Sequence, residues 1–320
     1  MTLVVPAFNA EATLSETLDS LLRQTFSEFE LLVVDDGSTD GTAALVERYD
    51  DPRIRLIRQE NRGLAGARNR GIAEGIGRYI GFCDADDLWR PGKLAAHVAH
   101  LRSDKTLGVS FSGSEFIDAQ GVSLNLYQRP RLRDISAAHV FCRNPFGNGS
   151  TPVFRRAALD EIASFNAALG RMVWFDESFR QSEDIECWLR FMLSTNWTVE
   201  GVPGALTLYR VAPGGLSAAT QKQFASWERM VEKLTPLSPE FFARHGPAAR
   251  AYQLRYLARR AVSSGDGRQA LALLRQSLAT SGRPLWEEPL KSAVTWGAAL
   301  ALRCGAGRSV LAAKGRRESA

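Results

Sequence analysis

Residues 81–89 read GFCDADDLW, an apolar run that ends in the carboxylates Asp84, Asp86 and Asp87. Carboxylates this close repel one another, so the cluster needs a cation, an Arg or Lys, or full solvation to persist. Upstream the run reaches back to Tyr79 and reads as a buried strand with its acids at the carboxyl end. Three similar runs precede it: Leu3-Val4-Val5, Leu31-Leu32-Val33-Val34 and Ile54-Arg55-Leu56-Ile57. Between the first two, Leu14, Leu18, Leu21 and Leu22 recur at helical spacing, and residues 43–49 and 65–73 fill the next two gaps as helices. The first hundred residues are therefore βαβαβαβ. That order implies right-handed crossovers and an α/β architecture with a mainly parallel sheet covered on both faces.

The residues just after each strand bear on function. The four runs lead into Pro6-Ala7-Phe8-Asn9, Asp35-Asp36-Gly37-Ser38, Glu60-Asn61-Arg62-Gly63 and Asp84-Ala85-Asp86-Asp87. All four polar clusters lie at carboxyl ends, the edge where open parallel sheets bind ligands. Asp84 and Asp86 are two apart, which puts both side chains on one side of an extended segment. Paired hard oxygen donors suit Mg²⁺ or Mn²⁺, ions that keep waters and share positions with phosphates. Arg68, in Gly66-Ala67-Arg68-Asn69 near a helix start, has two readings: a cation for phosphate oxygens, or a surface residue paired with Glu60 or Glu74. Taken together, the edge suits a nucleoside diphosphate and its metal.

A second acid pair, Glu183 and Asp184, opens a helix in which Ile185, Trp188, Leu189, Met192 and Leu193 form an apolar stripe. Asp184 falls at the edge of that stripe and Glu183 on the far side. The pair can serve chemistry in a cleft or merely the helix dipole, worth about 0.3–1 kcal/mol. His97 and His100, three apart, read as core or surface residues rather than a metal pair.

The chain has 320 residues, 45% hydrophobic and 23% charged, with 40 Lys+Arg against 35 Asp+Glu. This is a globular composition, and a formal charge of +5 is no nucleic-acid signature. Cys83, Cys142, Cys187 and Cys304 lack zinc spacing and suit a reducing compartment. The opening residues lack a signal-peptide pattern, and the apolar stretch 293–302 is about half of a bilayer span. A cytoplasmic protein is expected, peripheral at the inner face of the cell membrane if the basic C-terminus (Arg303, Arg308, Lys314, Arg316, Arg317) contacts anionic headgroups. After Pro213-Gly214-Gly215 the composition turns to Ala, Leu and Arg at helical spacing, giving a helical hairpin across Gly265-Asp266-Gly267. The expected domains are 1–215, with halves 1–100 and 101–215, and a helical region 216–320.

The ordered set VVPAFNAEATLSETLDSLLRQTF (4–26), LLVVDDGSTDGT (31–42), NRGLAGARNRGI (61–72), GFCDADDLW (81–89) and SEDIECWLRF (182–191) resembles family 2 glycosyltransferases over about residues 1–210. The resemblance implies the Rossmann-like GT-A fold, here with a C-terminal α-helical extension. It also implies a nucleotide-sugar half (1–100) and an acceptor half (101–215). Asp36 would contact the uracil of a UDP-sugar, with Pro6, Ala7 and Glu11 beside the same pocket and Arg68 near base or diphosphate. In Asp84-Ala85-Asp86, Asp84 would bind ribose and Asp86 a divalent metal, Mn²⁺ or Mg²⁺. Asp184 would be the general base in an inverting transfer to a glycan or lipid-linked saccharide of surface polysaccharide biosynthesis. Without a Q-x-x-R-W sequence or a membrane span, the expectation is single-sugar addition. Two rivals are a metal-dependent phosphohydrolase, whose D-x-D normally follows the first strand, and a catalytically silent nucleotide-binding module. A dinucleotide oxidoreductase is poorly supported, because no G-x-G-x-x-G follows the first strand.

Overall fold

A computed structural model of the chain describes residues 1–211 and 220–304. The chain divides into two compact units, one of residues 1–140 and 144–215, the other of 141–143 and the chain from 216 onward.

The first unit opens with β1 (Thr2–Ala7), α1 (Leu14–Leu22), β2 (Glu30–Asp35), α2 (Thr42–Val46), β3 (Ile54–Arg58), α3 (Gly63–Glu74) and β4 (Tyr79–Phe82). It continues through β5 (Leu88–Trp89), α4 (Lys93–Ser103), β6 (Leu107–Ile117), β7 (Ser123–Gln128), α5 (Ala137–Arg143), β8 (Val153–Arg155) and α6 (Arg156–Asp160), with α5 running into the residues assigned to the second unit. The hairpin β9 (Ser164–Asn166) and β10 (Arg171–Val173) leads to α7 (Glu183–Ser194) and β11 (Thr198–Arg210). The sheet order is β3-β2-β1-β4-β8-β6-β11-β5, with β7 paired to β6. The first four strands are parallel; β8 then runs antiparallel to both β4 and β6, and β11 parallel to β6. Chain order reverses across β1, whose neighbours are β2 and β4, so the crevice beyond their carboxyl ends is the ligand edge of such a sheet.

Alternation along β1 shows why helices cover both faces. Leu3, Val5 and Ala7 pack with Leu14, Leu18 and Leu21 of α1, while Val4 faces the opposite cluster with Ala65, Ala67 and Ile72 of α3. Gly71 lets α3 approach so closely that a Cβ there would lie 2.2 Å from Val4 Cγ1. Trp188 of α7 is buried in the same cluster, its ring stacked on Phe154 at 4.9 Å. The inward face of α7 differs from the sequence reading. It comprises Glu183, Glu186, Cys187, Trp188, Leu189 and Phe191, while Ile185, Met192 and Leu193 are only half-buried. Apolar spacing found Trp188 and Leu189 but not the whole face, because two of the buried side chains are glutamates neutralised by arginines, Glu183 by Arg68 and Glu186 by Arg190.

The second unit holds α8 (Thr220–Leu234), α9 (Pro239–Ser263), α10 (Gly267–Thr280), α11 (Arg283–Glu287) and α12 (Pro289–Arg303). The hairpin read from sequence is α9 and α10, joined at Gly265 (φ +79°) and capped by Asp266, whose Oδ1 accepts from Gln269 N at 2.8 Å. No helix among the described residues is long and apolar enough to cross a membrane. Of the basic C-terminal residues, Arg308, Lys314, Arg316 and Arg317 lie outside the described residues.

Candidate active site

The loops after β1 and β2 are laced together. Asn9 Oδ1 accepts from Thr39 N at 2.8 Å, Ala10 N donates to Thr42 Oγ1 at 2.8 Å, and exposed Glu11 accepts from Gly41 N at 2.9 Å. Pro6 and Ala7 are buried at the end of β1, where Ala7 O accepts from Asp36 N at 2.8 Å. Phe8 next to them is 52% exposed. Asp36 is buried and spans two loops: its Oδ1 accepts from Gln59 Nε2 (2.7 Å) and Arg62 N (2.9 Å), its Oδ2 from Gly63 N (2.7 Å). A carboxylate thus satisfies backbone N–H groups at the start of α3, where the helix dipole favours negative charge.

Arg68 is the hub. Its side chain is buried, donating from Nη2 to Asp84 Oδ1 and from Nη1 to Glu183 Oε1, each at 2.8 Å. The surface pairing with Glu60 or Glu74 does not occur; Arg70 takes Glu74 instead. Burial opposes the charge of Arg68, but Asp84, Glu183 and Asp184 outweigh it and hold its pKa above the ordinary value. The next residue, Asn69, accepts from Trp174 N (2.9 Å) and Phe175 N (2.8 Å) and donates to Phe175 O (2.8 Å), fixing the segment that leads into α7. One turn of α3 therefore registers two distant acid motifs against each other.

The acid cluster after β4 resolves into three environments. The backbone there is a turn, with Asp87 N donating to Asp84 O at 3.0 Å, so the same-side argument from an extended segment does not apply. Asp84 turns inward to Arg68; its own N–H donates to Ser150 Oγ at 2.9 Å. Asp86 is exposed, while the surrounding protein and the Asp84 charge push its pKa up to about 6. Asp87 is fully buried, accepting from Ser150 Oγ (2.6 Å) and Arg210 N (2.9 Å). Ala85 is also buried, and its carbonyl accepts from Thr13 Oγ1 (2.9 Å) and Thr17 Oγ1 (3.0 Å) of the α1 region. A second buried cation lies under the turn: Arg210 donates to Asp86 O (2.8 Å), Ala119 O (2.8 Å) and Glu16 Oε2 (2.6 Å). The charges that coexist in GFCDADDLW do so around Arg68 and Arg210.

Asp184 is half-buried at the first turn of α7, with Oδ1 accepting from Ile185 N at 2.7 Å. Burial and the neighbouring Glu183 push its pKa up to about 7. Glu183 is the buried member, contrary to the far-side placement read from the helical wheel. Lys93 lies buried behind the turn, donating to Thr151 O (2.9 Å) and Thr207 Oγ1 (2.8 Å), and burial lowers its pKa to about 7. His97 and His100 share the Ser110 hydroxyl, with Nδ1 atoms 2.8 and 2.9 Å from Oγ. Among the described residues no group of three His, Cys, Asp or Glu side chains is arranged to hold a metal alone. The exposed Asp86, next to partly open Asp84, fits a hard cation that draws its other ligands from water and phosphate.

Sequence reading missed Arg210, Ser150, Lys93 and the inward turn of Glu183. A lone Arg or Ser far from the motifs carries no local signal. Asn69, inside NRGLAGARNRGI, stood in a quoted motif without a role.

A family model described as "Glycosyl transferase family 2" matches residues 2–163. Over 102 residues the chain is 41% identical to the UDP-Glc:alpha-D-GlcNAc-diphosphoundecaprenol beta-1,3-glucosyltransferase WfgD of Escherichia coli, covering 32% of this chain and 40% of that protein. Over 228 residues it is 31% identical to the succinoglycan biosynthesis protein ExoO of Rhizobium meliloti, covering 68% and 62%. Solved structures that share the fold include the following two. S. aureus TarS 1–349 in complex with UDP-GlcNAc has a TM-score of 0.61 at 19% identity, covering 95% of this chain and 91% of that one. The mannosyltransferase PcManGT from Pyrobaculum calidifontis, in complex with GDP-Man and Mn2+, has a TM-score of 0.55 at 22% identity, covering 94% and 86%.

Proposed function

The chain belongs to glycosyl transferase family 2 and is a glycosyltransferase, and on that footing we propose that it moves one sugar from a UDP-sugar to a hydroxyl of a glycan or lipid-linked saccharide, inverting the anomeric centre. The observation that carries this reading is the fork of Arg68, which binds Asp84 of one acid motif and Glu183 of the other at 2.8 Å each. In this reading the fork holds a donor-side and an acceptor-side motif in one site. The UDP-sugar named for WfgD and bound to TarS favours the donor; the diphosphoundecaprenol in the name of WfgD favours a lipid-linked acceptor.

In this reading residues 1–100 hold the donor and 101–215 the acceptor. Phe8 offers an exposed ring face for a base beside Pro6, Ala7 and Glu11. Asp36 contacts the uracil, and its bonds to the start of α3 hold it rigid at that edge. Asp84 takes the ribose and Arg68 acts through Asp84 and Glu183 as a positioning residue. Asp86 is the protein ligand for Mn²⁺ or Mg²⁺, which would supply neutralisation of charge on the leaving diphosphate. Asp184 takes the proton from the acceptor hydroxyl as the new C–O bond forms and the bond from the anomeric carbon to the diphosphate breaks. A carboxyl pushed up to about 7 is a strong enough base for this at neutral pH. The exit of UDP from the face opposite the attack inverts the centre.

The test is a transfer assay with UDP-sugars and a synthetic lipid diphosphate saccharide, read by mass spectrometry. One added sugar per acceptor, lost in Asp184→Asn, supports the reading. Nucleotide hydrolysis with no sugar on any acceptor contradicts it.

A further inference from the structure

We infer that the outer face of α12 lies on an anionic lipid bilayer, parallel to its surface. The helix is inside out for a water-exposed element. Its buried positions are Ser292, Thr295 and Ala299, whereas Leu290 (76%), Val294 (63%) and Leu300 (50%) face solvent. With Ala293, Gly297 and Ala301, also exposed, they recur at i, i+3, i+4 and i+7, a continuous apolar stripe. Trp286, 82% exposed, stands just before the helix, a residue type that favours the membrane–water boundary. Such a stripe needs a partner, because water-facing helix surfaces are ordinarily polar.

Charge identifies the partner. From Pro289 to Arg317 the sequence contains no Asp or Glu but six cations: Lys291, which is paired with Glu288, and Arg303, Arg308, Lys314, Arg316 and Arg317. The two acids just before the helix are neutralised internally. Glu287 is paired with Arg143 (2.8 Å) and Arg283 (2.9 Å), and Glu288 with Arg143 (2.7 Å), Arg255 and Lys291 (2.6 Å). An apolar face in an acid-free, cationic segment complements anionic headgroups over an acyl interior. A helix of 15 residues is about 22 Å long, short of the roughly 30 Å hydrocarbon core, so it lies along the surface. The contact requires nothing of the sugar chemistry.

The test is flotation of the full chain with vesicles of phosphatidylcholine alone or mixed equally with phosphatidylglycerol. Binding to the mixed vesicles, weakened by high salt and reduced at least tenfold in Leu290→Glu/Val294→Glu, supports the inference. The melting temperature of that variant checks its folding, which solvent-exposed positions leave intact. If both the wild type and the double variant bind equally, the basic C-terminus alone is the anchor and the inference fails. It fails too if the wild type ignores both vesicles, or if it forms a dimer that the double variant dissolves while vesicle binding persists. Binding is read without turnover, so failure here is separate from failure of the transferase reading.

Discussion

Arg68 Nη2 and Asp84 Oδ1 lie 2.8 Å apart, and the same guanidinium reaches Glu183 at 2.8 Å. Removing a partner from a buried ion pair leaves an uncompensated charge, at a cost of about 3–5 kcal/mol. Arg68→Met is expected to lose stability of that order in urea unfolding. Arg68→Lys keeps the charge but not the planar two-pronged donor, so it should stay folded with a raised KM for the donor. A melting curve for Arg68→Met that matches wild type would remove Arg68 from its central place.

Asp184→Asn is expected to lower kcat by about 10²–10⁴-fold with donor affinity nearly unchanged. In the wild type, kcat/KM should rise with pH and level off above about 7, because the base acts only when deprotonated and its pKa is pushed up to about 7. Burial is the first cause and Glu183 the second, so Glu183→Gln should move that limb to lower pH. A limb that stays in place in Glu183→Gln would show that another group titrates.

The adjacent acids Asp86 and Asp87 should separate cleanly. Asp87→Ala removes the acceptor of the Ser150 O–H and of Arg210 N, both buried donors, and should cost about 1–3 kcal/mol per unsatisfied donor. Asp86→Ala, at an exposed position, should change stability by no more than about 0.5 kcal/mol. Equal destabilisation in denaturant titrations would contradict the assignment of Asp87 to structure and Asp86 to ligand binding.

Lys93 gives a pH signature of its own. Its pKa is about 7 in the folded chain against 10.5 when free, so between those values the unfolded chain binds the extra proton. Stability from this group therefore rises with pH from about 7 to about 10.5. Lys93→Met should flatten that part of the stability–pH curve, measured by thermal unfolding in matched buffers. An identical slope in the variant would show that Lys93 is not the titrating group.

The parallel half of the sheet was legible because its strands are short aliphatic runs with polar loops at one end, a pattern that buried strands impose locally. The edge carrying Asp36, Asp84 and Asp86 was legible for the same reason. Non-local partners were hidden: Arg210 lies 124 positions from Asp86, and Ser150 lies 63 from Asp87. Helical periodicity at α7 found Trp188 and Leu189 but missed part of the buried face, because it counts apolar residues, and Glu183 and Glu186 are buried by virtue of partners on α3 and on α7 itself. The turn at Asp84 to Asp87 escaped because only its hydrogen bond distinguishes it from an extended strand end.

Whether Asp86 holds a metal against the nucleotide is decided by calorimetric titration of UDP into the wild type and Asp86→Ala, each with and without Mn²⁺. Mn²⁺ is expected to tighten UDP binding to the wild type at least tenfold and to leave Asp86→Ala unaffected. Equal UDP affinity with and without the metal in the folded wild type, or the same gain in both proteins, would contradict a metal-bridged donor site.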